Sequence, residues 1–126
     1  MLDNCIYGNY KFLYLSPERF QQDLVQERIK QMNVNLIAVD EAHCISQWGH
    51  DFRPAYRDIK VLRTLHPNVN VIGLTASATD KVVKDICSQL DCIDPKIFKT
   101  SFQRPNLAYL TLDCDDKYFK TVQILK

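Results

Sequence analysis

Two adjacent carboxylates, Asp40 and Glu41, close a short apolar run in "NLIAVDEAH", residues 35–43. Paired acids at the end of a buried strand can hold a hydrated magnesium ion against a phosphate chain and take a proton from an attacking water. The same pair can equally be an acidic turn after a core strand, and the run alone does not separate the two. A zinc-protease arrangement is excluded, because no two histidines stand four residues apart around a glutamate. The next stretch, "CISQWGHDFRPAY" (44–56), gathers Gln47, Trp48, His50, Phe52 and Arg53 around Gly49. Aromatic rings and an arginine at a rim can stack on bases and hold phosphates. They can also do no more than cover the edge of a core, and chemistry alone leaves both readings open.

The elements that must position these residues follow from periodicity. "YKFLYLS" (10–16) alternates and predicts a strand. Ser16 then precedes Pro17, a helix start, and Phe20, Leu24, Val25, Ile29 and Met32 predict a helix over 17–32. "NLIAVD" (35–40) is continuously apolar and predicts a central strand buried on both faces. A helix is expected from Pro54 to about Leu65, a strand at "VNVIGLT" (69–75), and a helix over 80–90 with Val82, Val83, Ile86 and Leu90 inward. "KIFKT" and "LAYLTL" are further strand candidates, and a last helix begins near Asp115 with Phe119, Val122 and Leu125 inward. Strands alternating with helices predict an α/β fold with a mainly parallel sheet flanked by helices. Ligands in such sheets sit outside the carboxyl ends of the strands. Asp40 and Glu41 lie at one such end, and Thr75, Ser77 and Thr79 lie at the next.

Composition narrows the partners. The 126 residues are 46% hydrophobic and 25% charged with a formal net charge of +1, so any nucleic-acid contact must come from a local patch. Arg53, Arg57, Lys60 and Arg63 share one helical face, which reads as a solvated face rather than a DNA track. No apolar run is long enough for a transmembrane helix and the N-terminus lacks a signal-peptide pattern, so no membrane partner and no secretion are expected. The five cysteines, Cys5, Cys44, Cys87, Cys92 and Cys114, form no zinc spacing and read as reduced, mostly buried thiols of a cytoplasmic or nuclear protein.

"VDEAHCISQWGHDFRPAY" (39–56) closely resembles motif II and the adjoining aromatic-rich loop of the RecQ family of ATP-dependent DNA helicases. "FLYLSPERF" (12–20) is similar to that family's motif Ib region, "GLTASAT" (73–79) to motif III, and "SFQRPNLAY" (101–109) to the segment closing the first motor domain. The resemblance implies an incomplete RecA-like domain of the phosphate-loop NTPase type. It further implies that residues 1–112 are the C-terminal part of that domain and 113–126 the start of a connection to a second motor domain. By the same resemblance Asp40 is the magnesium-associated acid, acting indirectly, and Glu41 the catalytic base. His43 links the nucleotide site to motif III at Thr75, Ser77 and Thr79. Gln47, Trp48, His50, Phe52 and Arg53 sense single-stranded DNA, and Ser16, Glu18 and Arg19 are candidate DNA contacts or, alternatively, a capped helix start. The family form of motif III has a second threonine where this chain has Ser77, which keeps the hydroxyl. The implied cofactors are ATP and Mg²⁺. The implied partners are single-stranded or junction DNA and the second motor domain, with 3′–5′ unwinding in recombination and repair.

A phosphate cradle of the form GxxxxGK[ST] is missing. The chain has only Gly8, Gly49 and Gly73, and none precedes a lysine. The expectation is therefore a mid-domain helicase fragment, inert alone, whose "VIGLT" strand is an exposed edge prone to self-association. The competing expectation is a non-catalytic module that binds single-stranded nucleic acid or protein on the same fold.

Overall fold

The computed structural model describes residues 2–101 and 103–125; Met1, Phe102 and Lys126, the second of which belongs to the "SFQRPNLAY" stretch, lie outside them. Contacts divide the chain into Met1–Pro95 and Lys96–Lys126.

In the first unit, helix α1 (Leu2–Tyr7) is followed by an extended segment, a 3-10 turn at Pro17–Gln21 and helix α2 (Asp23–Lys30). Strand β1 (Leu36–Val39) leads through a 3-10 turn, Ala42–Ile45, into the loop around Gly49. A second 3-10 stretch, Pro54–Lys60, continues into α3 (Val61–Leu65), then β2 (Asn70–Gly73) and α4 (Asp80–Gln89). β1 and β2 pair in parallel, Leu36 opposite Asn70 and Val39 opposite Gly73. Phe20, Val25, Ile29, Ile37, Val39, Ile45, Ile59, Val82, Ile86 and Leu90 form the core between the sheet and its helices.

The helix expected over 17–32 is broken at Gln22, whose backbone is extended at φ −96° and ψ 116°. The reason lies in the apolar spacing. Phe20 and Val25 are five apart, so a continuous helix would point them about 140° away from each other. The break turns both inward and leaves Leu24, expected inside, 60% exposed. The Gln26 side-chain amide donates to the Phe20 carbonyl at 2.6 Å, which satisfies an acceptor the broken helix releases.

The strand expected at 10–16 is extended but unpaired. Its alternation is real: Leu15 packs on the core, while Phe12 and Tyr14 face out and stack on each other with centroids 6.3 Å apart. A strand needs a neighbour's hydrogen bonds, and the sheet formed by the described residues has two strands only. For the same reason β1 is not buried on both faces: Ile37 and Val39 are buried, while Leu36 and Ala38 are exposed. Among the cysteines only Cys44 is fully buried; the other four are half-buried, and all five are free thiols.

The second unit contains α5 (Lys117–Ile124), capped by the Asp116 carboxylate, which accepts from Phe119 N at 2.9 Å. Neither "KIFKT" nor "LAYLTL" forms a strand. Phe119, Val122 and Leu125 are exposed rather than inward, because an amphipathic stripe is buried only where another element covers it. No helix of the described residues is long and apolar enough to cross a membrane.

Candidate active site

The parallel pairing carries past the strand ends. Leu74 N donates to the Val39 carbonyl at 2.8 Å, and Ala42 N donates to the Leu74 carbonyl at 2.9 Å. These two bonds hold the acidic turn and the polar stretch after β2 side by side on one rim. Asp40 and Glu41 are exposed there. The Asp40 Oδ1 accepts from Glu41 N at 2.9 Å, which orients the carboxylate. Glu41 has φ 48° and ψ 42°. A glutamate in this left-handed region stores about 1–2 kcal/mol of strain, and the 3-10 turn that follows is fully buried and holds it there.

His43 is the hub of the site and only 6% exposed. Its Nδ1 lies 2.9 Å from Thr75 Oγ1 and 3.3 Å from Glu41 Oε2. A proton on Nδ1 serves either acceptor and leaves Nε2 with its lone pair. The His43 ring stacks on His50, centroids 4.6 Å apart and planes 12° from parallel. The Thr75 hydroxyl also meets the Ser77 backbone, N–H and carbonyl each at 3.4 Å. Thr79 points elsewhere: it caps α4 by accepting from Val82 N at 3.4 Å. Its geometry is that of a helix cap, whereas Thr75 touches the histidine.

The loop 46–53 folds back on the same turn. Ser46 is fully buried; its hydroxyl accepts from Trp48 N at 3.2 Å and its carbonyl from Gly49 N at 3.0 Å. Arg53 N donates to the Cys44 carbonyl at 2.9 Å and closes the loop. Gly49 is required by space, since a Cβ there would stand 2.5 Å from the His43 carbonyl oxygen. Trp48 remains 63% exposed, with Lys81 Nζ 3.1 Å above its ring centroid. Arg57 lies 5.1 Å over the Phe52 ring, and Arg53 5.4 Å over Tyr56. Gln47 is exposed beside them.

Arg53 also pairs with Glu18, Nη2 to Oε1 at 3.1 Å, and so ties the loop to the turn at 17–21. The Glu18 carboxyl is held below the usual carboxylate range, first by its own backbone N–H, then by the Ser16 hydroxyl, with Arg53 adding to both. The trio Ser16, Glu18 and Arg19 is thereby spread over two surfaces, with the Ser16 hydroxyl still reaching the Glu18 carboxyl. Glu18 faces the loop, while Ser16 and Arg19 line a separate cleft of about 420 Å³ between α1 and α2. Ser16 makes no side-chain cap to the turn it precedes. The basic face is likewise engaged within the chain: besides Arg53 and Arg57, Lys60 pairs with Asp91 at 3.2 Å and Arg63 donates to the Val69 carbonyl at 2.7 Å.

Three features escape a reading of the sequence: the His43–His50 stack, the approach of Asp51 to Cys44, and Lys81 over Trp48. The first two join residues seven apart through a loop of no fixed period. Lys81 arrives from the first turn of α4, 33 positions from Trp48.

Comparison with known proteins gives the family. Residues 2–86 match the DEAD/DEAH box helicase family. The chain is 44% identical over 111 residues to ATP-dependent DNA helicase RecQ of Bacillus subtilis (strain 168), which spans 87% of this chain and 19% of that protein. It is 47% identical over 102 residues to the bifunctional 3'-5' exonuclease/ATP-dependent helicase WRN of Mus musculus, spanning 79% of this chain and 7% of that protein. The corresponding figures for the probable ATP-dependent DNA helicase RecS of Bacillus subtilis are 39% over 120 residues, 93% and 24%. The chain thus spans less than a quarter of the length of these relatives. With the acidic turn, its histidine and the loop all inside the matched residues, the chain belongs to the DEAD/DEAH box helicase family, and the relatives it resembles there are RecQ helicases.

Proposed function

We propose that this chain is part of the first RecA-like motor domain of a RecQ-type, ATP-dependent 3′–5′ DNA helicase, with residues 1–112 belonging to that domain and 113–126 leading toward a second one. The observation that carries the reading is the position of His43, whose Nδ1 reaches both Glu41 and Thr75 while its ring stacks on His50 of the loop. One side chain therefore touches the catalytic base, the motif III hydroxyl and the candidate DNA sensor.

Glu41 accepts the proton of the attacking water; its exposed carboxylate reaches back to His43 Nδ1 at 3.3 Å, which holds it at the rim. Asp40 suits a magnesium ion held through water: it is exposed, offers hard oxygen donors, and is oriented by the Glu41 N–H. Bound ATP with Mg²⁺ supplies the phosphoanhydride and the charge that the acids address. Single-stranded DNA at Trp48 and Phe52 would compete with Lys81 and Arg57 for the ring faces, since base stacking needs the face each cation covers. Moving the loop shifts His50 against His43, and His43 shifts against Glu41 and Thr75. DNA occupancy is coupled to the base by that route.

None of the 126 residues forms a GxxxxGK[ST] cradle, so this chain alone is inert in ATP hydrolysis. The free edge of β2, where Ile72 and Leu74 are exposed, favours self-association of the isolated chain. The decisive assay is ATP hydrolysis with magnesium, with and without single-stranded DNA, beside Glu41→Gln. The chain alone should not exceed the Glu41→Gln control. A longer protein carrying it with a phosphate loop should show DNA-stimulated turnover that Glu41→Gln lowers about 100-fold or more. Turnover in the longer protein that ignores Glu41→Gln would remove Glu41 from its role and the reading with it.

A further inference from the structure

On the side of His43 facing away from Thr75, a second set of groups converges. His43 Nε2 lies 3.7 Å from Cys44 Sγ, and Cys44 Sγ lies 3.9 Å from Asp51 Oδ2. All three ligand atoms fall within 4.8 Å of one another. As hydrogen bonds these contacts are long. As edges of a coordination tetrahedron they are close to the required size: zinc–sulfur and zinc–nitrogen or zinc–oxygen bonds at tetrahedral angles set their ends about 3.6 Å apart.

We propose that His43 Nε2, Cys44 Sγ and an Asp51 carboxylate oxygen form a binding site for a borderline-soft divalent cation of the zinc class, with water as fourth ligand. Three further observations fit. The histidine is prepared as a ligand, because its Nδ1 is engaged by Thr75 and Glu41 and its Nε2 faces the thiol. Such a bond on the far nitrogen is the usual support of a metal-bound imidazole. The two inner ligands sit on the rigid buried turn, and the third is on the exposed loop, so an ion can enter from solvent past Asp51. The Cys44 thiol is pushed up, first by burial and then by the Asp51 carboxylate, and a cation between the two groups removes that repulsion. On binding, the sulfur–hydrogen bond is broken, its proton leaves to solvent, and the thiolate takes the ion. The thiolate also discriminates against magnesium, so the site is chemically separate from Asp40.

The ion would join the turn at 42–45 to residue 51 of the loop in one ring. If the helicase reading above holds, zinc locks the sensor to the histidine and blocks coupling. The binding step does not depend on that reading.

The test is titration of the full chain with cobalt(II), followed by displacement with zinc(II). The thiolate-to-cobalt charge-transfer absorption is the readout, and circular dichroism checks the fold of each variant. The expected result is a one-to-one band in the unaltered chain and in Cys87→Ser/Cys92→Ser. The band should be absent in Cys44→Ser, and Asp51→Asn should weaken affinity more than about tenfold. A band that survives Cys44→Ser, or no band in the unaltered chain, overturns the proposal. Should Cys44→Ser fail to fold, Asp51→Asn decides, since that residue is exposed and outside the core; unchanged cobalt affinity there overturns it too.

Discussion

Trp48, Phe52 and Tyr56 lie in or beside a loop that the bond from Arg53 N to the Cys44 carbonyl closes, whereas Tyr109, Tyr118 and Phe119 belong to the separate unit Lys96–Lys126, where α5 is the one regular element among the described residues. Both stretches are aromatic-rich and both contain cationic residues. The first is anchored at its two ends by backbone bonds to buried residues, Ser46 and Cys44, and its rings are covered by Arg57, Lys81 and Arg53. In the second, Tyr109 and Tyr118 are 97% and 82% exposed. The difference lies in what the neighbouring chain supplies, since aromatic content alone buries nothing. A loop pinned by backbone bonds to a buried turn can present exposed rings in fixed positions. In the separate unit, α5 has its apolar residues Phe119, Val122 and Leu125 exposed.

The contrast is broken most sharply by matched truncations. Ile45→Ala, at a side chain 1% exposed, should cost about 2–5 kcal/mol, while Ile124→Ala in α5 should stay within about 0.5 kcal/mol. Urea unfolding measures both, and equal losses would mean that the second region is packed as well as the first. Next comes Gly49→Ala, which forces a methyl group onto the His43 carbonyl and should cost about 1–3 kcal/mol. Because Trp48 is the only tryptophan, the same change should shift its fluorescence before global unfolding. An unmoved emission spectrum would show that the loop has slack there.

The two side-chain caps sharpen the comparison at smaller scale. Thr79→Ala should remove about 0.5–2 kcal/mol from the main unfolding transition, because α4 is packed on the core through Val82 and Ile86. Asp116→Ala should lower helicity at 117–124 and leave that transition where it was. Amide hydrogen exchange separates the two outcomes, and a shifted main transition in Asp116→Ala would couple the regions.

The smallest effect concerns Glu18. Its folded pKa is lowered, so its contribution to stability is present above the ordinary carboxylate value and is lost as pH falls through the lowered one. Ser16→Ala and Arg53→Gln should each raise that pKa, because the hydroxyl and the guanidinium both lower it. Carboxyl NMR titration reads both shifts, and an unmoved value in either variant would remove that group from the causes.

Much of the frame was legible in residue order. The runs at 36–39 and 70–73 form parallel strands, and 80–89 forms a helix with Val82, Ile86 and Leu90 inward, whereas Pro17 starts a 3-10 turn rather than the helix expected over 17–32. These follow from local rules, which need only spacing and the special backbones of proline and glycine. The acidic pair and the hydroxyls of the stretch after β2 were also legible as neighbours, since parallel strands bring their carboxyl ends to one rim. Strand pairing was not. Residues 10–16 alternate as a strand does, and 96–100 and 107–112 were strand candidates, but none of the three forms a strand. Nor could spacing divide Thr75 from Thr79, or Glu18 from Arg19.

The order of residues alone determined which chemistry is present: two acids, a histidine, a set of hydroxyls and a ring of aromatic and cationic side chains. The tertiary structure decided which of them meet. His43 meets Thr75 at one ring nitrogen, approaches Cys44 at the other and stacks on His50, and Lys81 crosses to Trp48 from another helix. Those meetings depend on where two strand ends and one closed loop converge in space. Periodicity along a chain records which face a side chain takes, and carries no information about what waits opposite it.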